Sequence, residues 1–493
     1  MYMNQYWLMA SILLPIVGGI LTCVLPFKKK THMMVYLELI TILTSVIVIA
    51  LVTHGSMQRF QVVRFMDNLS ISFKVDGLSM VFANLVAILW PFCTLYAFEY
   101  MEHEERQKTF FMFYSITYGV TLGISFAADI MTMYLFYELL TLVTVPLILH
   151  SMTREAVLAV RTYLYYSLGG AAFALIGIVF LMVYGNGLEF VMGGFLNLEK
   201  IKGKENLFLL VYLMAFFGFG VKAAIFPFSA WLPKVGVAPT PVTGLLHAVA
   251  VVKAGAFAVA RLTYYCFGVD FLYGTWAQYV AMGFAMITIV YGCWSAVKEK
   301  QLKRRLAYST VSNLSYIIFG ITLMTPAGLA GALSHLVSHS LMKICAFFCA
   351  GAIIHQTGRK YINEINGLGY KMPVVFICFT FSALGLMGVP GLCGFVGKWN
   401  LAIAAAESGN VMAYFGIGCL MISAILTSIY MMSIVTRAFF PKKHVNLKPM
   451  EGVRDPSWKI CVPICFFAVS MVALACNFGH LVNFYHKLSG GHI

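Results

Sequence analysis

The sequence contains few charged residues and no long hydrophilic segment. Asp, Glu, Lys and Arg make up 11% of its 493 residues, whereas 60% are hydrophobic. A soluble domain normally carries about a quarter charged residues, so this composition excludes a soluble enzyme. One membrane-spanning helix takes ~20 residues plus a short connection, and a chain of this length therefore accommodates more than a dozen spans. We expect an all-α, polytopic membrane protein.

The sequence also lacks the cysteine spacing that is typical of bound redox metals. No Cys-x-x-Cys pair occurs among its 12 cysteines, and almost all of them lie inside apolar segments. Cys345 and Cys349, one helical turn apart, are typical of lipid-facing or core-facing residues. We expect no cofactor, iron–sulfur cluster or haem on this chain.

A basic domain is absent as well, although the net charge is +15. The basic residues stand singly or in short runs between apolar segments, so they cannot form the continuous stripe that binds nucleic acid. We expect no nucleic-acid partner and interpret the placement of these residues as a signal of membrane topology.

Apolar runs bounded by charged residues or by Gly, Pro or Asn predict fourteen membrane-spanning helices. The predicted spans are residues 6–25, 33–53, 78–98, 109–127, 130–150, 162–184, 207–230, 240–261, 273–297, 306–324, 328–355, 374–400, 411–436 and 457–479. The longest early connection, at about 53–78, alternates apolar and polar residues and predicts a small hairpin outside the membrane.

The distribution of basic residues gives an independent check on this topology. The odd-numbered connections carry 22 of the 34 Lys and Arg residues, and the even-numbered connections with the C-terminal tail carry 8. A missed or additional helix would have reduced this asymmetry. Because basic connections face the cytoplasm, we predict a multi-pass protein of the cell (inner) membrane with both termini outside.

The four remaining basic residues, together with one glutamate, lie inside predicted spans. A cation at the bilayer centre costs at least ~2.5 kcal/mol even on the most lenient scale. These residues are Glu138, Lys222, Lys253, Lys343 and Lys398. Intramembrane charges typically mark ion pathways, so we interpret these five as candidates for ion translocation.

Glu138 lies in the fifth span and is far along its helix from any other charge. A carboxylate in that place needs a partner from another helix or must hold a proton. Two interpretations fit: a fixed ion pair that positions two helices, or a proton-holding group that responds to a nearby lysine.

Two spans combine a buried lysine with a helix-breaking residue. Lys222 precedes Pro227 in the seventh span, and Lys398 follows Pro390 in the twelfth. Interrupted helices at mid-membrane recur at ion sites, although Gly and Pro are also common in membrane helices generally. Because the two lie five spans apart, and five is odd, we predict two inverted five-helix repeats, helices 4–8 and 9–13.

His335, His339 and Lys343 recur at every fourth position of the eleventh span. This spacing places all three on one helix face, with about 6 Å between successive groups along the axis. Groups that titrate near neutral pH in such a row can relay protons through water. Structural hydrogen bonding is the alternative for either histidine, and metal binding by the pair lacks a third ligand nearby in the helix.

His247 and Lys253 occupy the eighth span with an offset of six residues. On a continuous helix this offset turns through about 240°, so the two side chains face different neighbours. We interpret them as candidates for linking one half of a channel to the next.

One long segment of the sequence carries a family resemblance. It runs through Lys222-Ala223-Ala224-Ile225-Phe226-Pro227-Phe228, Trp231-Leu232-Pro233, Ala238-Pro239-Thr240-Pro241-Val242-Thr243-Gly244-Leu245-Leu246-His247 and Val252-Lys253-Ala254-Gly255. The segment resembles the antiporter-like membrane subunits shared by respiratory complex I (NADH-quinone oxidoreductase), energy-converting membrane-bound hydrogenases and Mrp-type Na+/H+ antiporters. The similarity extends from about the third span to the thirteenth.

The resemblance implies a subunit of fourteen helices with a half-channel in each inverted repeat. Glu138 resembles the carboxylate that pairs with the lysine of the first broken helix, Lys222. His247 and Lys253 resemble bridging groups, His335 and His339 resemble relay histidines, and Lys398 resembles the terminal lysine of the second half-channel. The chain departs from the family pattern between Pro233 and Ala238, where a frequent histidine is replaced by Lys234-Val235-Gly236-Val237.

The predicted organisation follows these repeats. Residues 1–108 are expected to contain helices 1–3, 109–262 the first repeat, 273–437 the second repeat, and 438–493 a loop with helix 14.

The leading hypothesis for function is an ion-translocating subunit of a multisubunit complex, which moves protons with or without exchange for sodium. It has no redox centre of its own, and its expected partners are other membrane subunits, hydrophilic redox subunits in an oxidoreductase, and the lipid bilayer. The alternatives are a stand-alone secondary transporter of an organic solute and a structural membrane scaffold.

Overall fold

The computed structural model describes residues 2–54, 57–66, 69–441 and 452–490. Within these ranges the chain forms nineteen α-helices and one antiparallel two-stranded sheet. The predicted all-α membrane architecture is confirmed. Of the predicted C-terminal segment 438–493, residues 442–451 and 491–493 lie outside the described residues.

Most of the elements are joined by short connections, and a longer one, residues 185–204, lies between the helices Arg154–Tyr184 and Glu205–Gly220. In chain order they are α1 (Tyr2–Val24), α2 (Lys30–Thr53), β1 (Met57–Met66), β2 (Leu69–Val75), α3 (Gly77–Tyr100), α4 (Gln107–Phe126), α5 (Ile130–Ile148), α6 (Arg154–Tyr184), α7 (Glu205–Gly220), α8 (Trp231–Lys234), α9 (Thr240–Ala248), α10 (Val251–Ala260), α11 (Val269–Leu272), α12 (Trp276–Lys298), α13 (Leu302–Thr322), α14 (Pro326–Thr357), α15 (Pro373–Met387), α16 (Cys393–Glu407), α17 (Val411–Phe439), α18 (Trp458–Cys476) and α19 (Phe478–Leu488). A π-helical segment, Arg261–Phe267, continues α10.

Eleven helical segments of the described chain are long and apolar enough to cross a membrane. Three predicted spans are not among them: 207–230, 306–324 and 374–400. The first and third are interrupted helices, and the second corresponds to α13, whose first turn carries three basic residues. The total of fourteen spans therefore stays a prediction.

The chain divides into two compact units. Unit 1 contains Met1–Thr94, His103–Ala223 and Val249–Ala281, and unit 2 contains Leu95–Glu102, Ala224–Ala248 and Met282–Ile493.

In unit 1, small residues let neighbouring helices approach closely. A Cβ on Gly119 of α4 would lie 2.4 Å from the carbonyl oxygen of Ile12 in α1, and a Cβ on Gly218 of α7 would lie 2.5 Å from the backbone nitrogen of Ala174 in α6. Only glycine fits at such separations, and close backbone contact is the usual means by which membrane helices associate. The α6–α7 contact holds the helix that leads to Lys222.

The predicted hairpin in the connection after α2 is confirmed, because β1 and β2 pair in antiparallel fashion. Its second strand is fixed to the start of α5. The Ser72 hydroxyl donates to the Asp129 carboxylate, and the Ser72 backbone nitrogen donates to Thr132 Oγ1 over 3.0 Å. Asp129 also caps α5 by accepting from the Thr132 backbone nitrogen. The hairpin thereby fixes the N-terminal end of the helix that carries Glu138.

A buried ion pair joins the residue before α3 to the π-helical segment. The Arg261 guanidinium donates to both carboxylate oxygens of Asp76 over 2.7 Å, and Arg261 is completely buried. Burial alone would raise the pKa of Asp76, but the adjacent guanidinium and its hydrogen bonds hold this pKa below its usual range. This bidentate pair ties two distant parts of unit 1 together.

Unit 2 is organised around α14, which packs against α9, α13, α15, α16 and α18. Nearly the whole of α14 is buried, from Gly328 to Ile353. Polar side chains on this helix therefore face protein rather than lipid, which is the condition for an internal ion pathway.

Candidate functional site

The first helix interruption falls where the sequence predicts it. Residues 221–230 form turns between α7 and α8, and both Lys222 and Pro227 lie among them. Ala224 adopts a φ of 55°, a left-handed conformation that a residue with a side chain rarely takes. The backbone around Lys222 therefore has a defined, non-helical conformation.

The second interruption also agrees with the prediction. Residues 388–392 separate α15 from α16, and Pro390 lies among them. Gly388 ends α15 with a φ of 90°, and a Cβ there would approach the Lys398 side chain to 3.1 Å. Glycine at this position thus satisfies both the backbone conformation and the space that the lysine needs.

Lys398 uses the backbone groups that this interruption frees. Its Nζ donates to the carbonyl oxygens of Leu386 and Met387 over 2.6 and 3.1 Å. The last carbonyls of a helix have no intrahelical partner and carry the negative end of the helix dipole. The end of α15 is therefore a binding site for the Lys398 ammonium group.

In unit 1 the structure brings Glu138 and Lys222 together. Glu138 Oε1 lies 3.8 Å from Lys222 Nζ, and the two side chains are 21% and 1% exposed. Lys222 also donates to the backbone carbonyl of Tyr137. The lone carboxylate of the fifth predicted span thus has its partner on the interrupted helix.

Tyr137 completes this site, and the sequence reasoning did not select it. Lys222 Nζ lies 3.3 Å from the centroid of the Tyr137 ring, and the Tyr137 hydroxyl donates to the carbonyl oxygen of Phe219 over 2.9 Å. The ring face attracts the cation, and the hydroxyl fixes the ring against the last turn of α7. Its position next to Glu138 could have identified Tyr137, because a lysine that packs against this part of the helix can contact both residues.

Lys253 and Gly255 belong to α10, which packs against α7, α4 and α5 in unit 1. Lys253 is completely buried. A Cβ on Gly255 would lie 2.5 Å from the Ala223 backbone nitrogen and 2.8 Å from the Lys222 carbonyl carbon. The absence of a side chain at Gly255 therefore determines where the backbone of Lys222 can lie.

A third interruption was not predicted. The eighth predicted span, 240–261, divides into α9 and α10 at Val249 and Ala250, and Ala250 has φ −93° and ψ −82°. His247 precedes this break and Lys253 follows it. The expected rotation of about 240° assumed a continuous helix, so that geometric argument is wrong.

The predicted stripe of α14 is present in unit 2. The ring centroids of His335 and His339 are 6.0 Å apart, and both residues are completely buried with Lys343. The His335 ring also lies edge-on to Tyr316, with centroids 5.0 Å apart. A Cβ on Gly397 would approach the His335 Nδ1 to 3.0 Å, so the residue next to Lys398 packs directly on this stripe.

Lys343 is bound by polar groups of α13. Its Nζ donates to the Ser309 hydroxyl over 2.5 Å and to the Leu306 carbonyl oxygen over 3.1 Å. In the part of unit 2 that the structure describes, no acidic residue forms an ion pair with Lys343. Neutral oxygens therefore solvate this amine.

His247 lies in the same unit, at the end of α9. Its ring contacts that of Phe347 with centroids 4.7 Å apart, and neither ring nitrogen has a hydrogen-bond partner among the described residues. Burial of an imidazole without a hydrogen bond costs free energy, and such a residue in a folded protein often has a functional role. His247 therefore remains a candidate for ion translocation.

Two family models match this chain. The model described as NADH:quinone oxidoreductase/Mrp antiporter, transmembrane, matches residues 127–428, and the model described as NADH-ubiquinone oxidoreductase (complex I), chain 5 N-terminus, matches residues 64–111. Together they cover every candidate residue named above.

Curated relatives and solved structures agree with these matches. An NAD(P)H-quinone oxidoreductase chain 4 from Picosynechococcus is 29% identical over 89% of this chain and 80% of its own length. A Na+/H+ antiporter protein from Alkalihalophilus pseudofirmus is 30% identical over 79% of this chain and 51% of its own length. A chain of the Mrp complex from Dietzia aligns with TM-score 0.85 and 21% identity over 99% of this chain and 97% of its own. A chain of complex I from Thermus thermophilus aligns with TM-score 0.81 and 22% identity, and 98% of each chain is covered.

Proposed function

The chain belongs to the family of transmembrane subunits of NADH:quinone oxidoreductases and Mrp antiporters, and from this premise we propose that it moves protons across the membrane as one subunit of a multisubunit complex. The observation that carries the proposal is the Glu138–Lys222 pair at an interrupted helix. A largely buried carboxylate and a fully buried amine, 3.8 Å apart and without a close hydrogen bond, can separate and rejoin as protons arrive and leave.

Glu138 and Lys222 would act as a coupled pair in the first half of the pathway. When a proton neutralises Glu138, Lys222 loses its carboxylate partner and is left with the carbonyl and ring of Tyr137. Its own proton is then held less strongly and can pass onward, and Lys253 is the proposed next group. The two titrations are therefore those of the pair rather than of either residue alone.

The second half would use the stripe of α14 and the end of α15. His247 is the proposed entry to this half, His335, His339 and Lys343 are the proposed relay, and Lys398 is the proposed exchange group. Lys398 is held by the two carbonyls at the end of α15. The division of the chain into helices 1–3 (1–108), two inverted repeats (109–262 and 273–437) and a C-terminal part (438–493) belongs to this proposal.

The proposed partners are other membrane subunits, with hydrophilic redox subunits if the complex is an oxidoreductase. The similarity to a protein of a Na+/H+ antiporter supports sodium as the exchanged ion if the complex is an antiporter. Both termini are proposed to lie outside, on the basis of the basic residues in the odd-numbered connections.

The proposal is tested by Glu138→Ala in the complete complex. Vesicles containing the complex receive an acid–base shift, and an entrapped pH-sensitive dye reports proton movement. We expect the variant to insert and assemble, as judged by size-exclusion chromatography, and to lose most proton movement. Glu155→Ala, which removes an exposed carboxylate in the first turn of α6, is the control and keeps the wild-type rate. Wild-type proton movement in Glu138→Ala would contradict the proposal.

A further inference from the structure

A continuous chain of hydroxyl groups and one thiol runs through unit 2 beside the histidine stripe. We propose that Ser309, Tyr430, Thr427, Cys293, Ser423 and Tyr316 form a second proton-conducting connection between Lys343 and the neighbourhood of Lys398. This hydroxyl–thiol chain deepens the proposed function and rests on it, because a proton path through unit 2 has meaning only if the protein moves protons.

The hydroxyl–thiol chain begins at Lys343. The ammonium group donates to the Ser309 hydroxyl over 2.5 Å, and the same oxygen accepts from the Tyr430 hydroxyl over 2.8 Å. The Tyr430 hydroxyl also lies 3.2 Å from Thr427 Oγ1, to which it can donate instead. Two donors on one serine oxygen connect Lys343 of α14 to Tyr430 of α17.

The middle of the chain passes through a buried thiol. Cys293 Sγ in α12 lies 3.6 Å from Thr427 Oγ1 and 2.8 Å from Ser423 Oγ, and either partner can be the donor. Ser423 accepts from the Tyr316 hydroxyl over 2.6 Å. The thiol therefore bridges Thr427 and Ser423 of α17, and Ser423 makes the connection to the tyrosine of α13.

The chain ends beside Lys398. Lys398 Nζ lies 5.3 Å from the centroid of the Tyr316 ring, and the edge of the His335 ring faces the same tyrosine. Tyr316 is therefore the point at which the hydroxyl–thiol chain and the histidine stripe meet. Both paths therefore lead from the side of Lys343 to Tyr316, whose ring lies next to Lys398.

Ordinary helix packing accounts poorly for this arrangement. Serine and threonine in membrane helices usually satisfy themselves by donating to the carbonyl four residues earlier, as Thr310, Ser315 and one member of the chain, Thr427, do here. Ser309 and Ser423 instead bond across helices, and all six members of the chain are buried. A hydrogen bond between membrane helices contributes little stability, so stability alone is a weak reason to assemble the five interhelical bonds of this chain.

Proton transfer along the chain conserves atoms and charge. Transfer towards Lys398 first requires the Ser309 and Ser423 hydroxyl groups to rotate so that they donate to Tyr430 and Tyr316, the reverse of the two bonds in the structure. Lys343 then gives a proton to the Ser309 oxygen as Ser309 passes its own proton to Tyr430, and each following oxygen or sulfur gains one proton and releases one. At the far end, a neutral Lys398 accepts the proton from Tyr316 through water. The outcome is one proton moved from Lys343 to Lys398, with no bond other than X–H changed and no oxidation. Rotation of the hydroxyl groups then resets the chain.

The first test is Tyr430→Phe, which keeps the buried ring and removes the hydroxyl that joins Ser309 to Thr427. Because this change interrupts the hydroxyl–thiol chain at one bond, we expect proton movement in the vesicle assay to fall by a factor of about 5 to 10. Tyr96→Phe is the matched control. Its hydroxyl is also buried in unit 2 but donates to the backbone carbonyl of Phe348, and we expect that variant to keep the wild-type rate at a similar thermal stability.

The second test uses the thiol. Cys293→Ser keeps a donor and acceptor at the middle of the chain, and Cys293→Ala removes both. We expect the serine variant to conduct near the wild-type rate and the alanine variant to be slowed as Tyr430→Phe is. Cys345→Ala is the control, because the thiol of Cys345 is also buried and lies outside the hydroxyl–thiol chain, with bonds to the backbone carbonyl oxygens of Cys378 and Ile464.

The outcomes separate this inference from the proposed function. If Tyr430→Phe and Cys293→Ala both move protons at the wild-type rate, the hydroxyl–thiol chain is structural and the inference is wrong, while the proposed function stands. Equal slowing in Tyr96→Phe, or equal slowing of Cys293→Ser and Cys293→Ala, also overturns it. Absence of proton movement in the wild-type complex itself would instead overturn the proposed function.

Discussion

The position of Lys222 depends on Gly255, a residue without a reactive side chain. This dependence can be tested without altering any charge. Gly255→Ala adds a Cβ that would lie 2.5 Å from the Ala223 nitrogen, 2.8 Å from the Lys222 carbonyl carbon and 3.0 Å from the Lys222 Cβ. The first two atoms belong to the backbone and cannot rotate away. The chain at Lys222 must therefore move as a whole.

The size of the effect follows from these distances. An ordinary carbon contact is about 3.5 Å or longer, so relief of the closest contact requires a displacement of about 1 Å. Overpacking of this kind costs about 1 to 3 kcal/mol. Misplacement of a reacting group by about 1 Å can lower a rate by about 100-fold. We expect Gly255→Ala to reduce proton movement by at least tenfold while the complex still assembles.

The assay is the vesicle measurement with the entrapped pH dye, together with a thermal denaturation scan of the purified complex. Gly169→Ala in α6 is the matched control, because a Cβ at that helical glycine meets nothing within 4 Å. The control is expected to gain slightly in stability from helix propensity and to retain full activity. Wild-type proton movement in Gly255→Ala would refute the reasoning that backbone placement at Lys222 limits transport.

Three further predictions concern single side chains. Lys398→Arg keeps the charge but cannot release a proton, so in the vesicle assay it is expected to fail nearly as badly as Lys398→Ala; full activity would show that charge alone is needed. His335→Gln and His339→Gln, measured singly from about pH 6 to 9, are expected to lower proton movement several-fold in at least one variant and to shift its pH dependence, whereas a purely structural role predicts lost stability with an unchanged profile. Asp76→Asn leaves Arg261 buried without its carboxylate, so it is expected to destabilise the protein by about 3 to 5 kcal/mol in denaturation measurements. An unchanged melting temperature would contradict the conclusion that this ion pair ties two parts of unit 1 together.

Much of the fold could be predicted because membrane helices leave strong signals in sequence. Length, apolar composition and the positions of Pro227 and Pro390 predict the helices and two of the interruptions. The pairing of Glu138 with Lys222 was expected because each is an isolated charge in a membrane span and because the family resemblance implies that the two pair.

The third interruption could not be predicted because no residue there breaks a helix. Ala248, Val249 and Ala250 are all compatible with continuous helix, and the turn between α9 and α10 depends on packing within the folded protein. The prediction of a single helix with a fixed rotation between His247 and Lys253 fails for this reason.

The hydroxyl–thiol chain could not be predicted from the sequence for a different reason. Its members lie on α12, α13 and α17, and Cys293 is separated from Ser423 by 130 positions. Whether a serine donates to its own helix or across to another depends on the axial register of two helices. Composition and spacing do not determine that register, whereas the three-dimensional structure does.

Because the Lys398 ammonium group is bound to the end of α15, the protonation of Lys398 depends on the position of that helix end. The carbonyl oxygens of Leu386 and Met387 bind an ammonium group more strongly than a neutral amine, which lacks the charge and has one N–H donor fewer. By thermodynamic linkage, any force that moves the interruption between α15 and α16 changes the proton affinity of Lys398, and protonation of Lys398 exerts an equal influence on the interruption. A neighbouring protein that pushes on either helix would thereby control when this proton is released, without contact with the proton path itself.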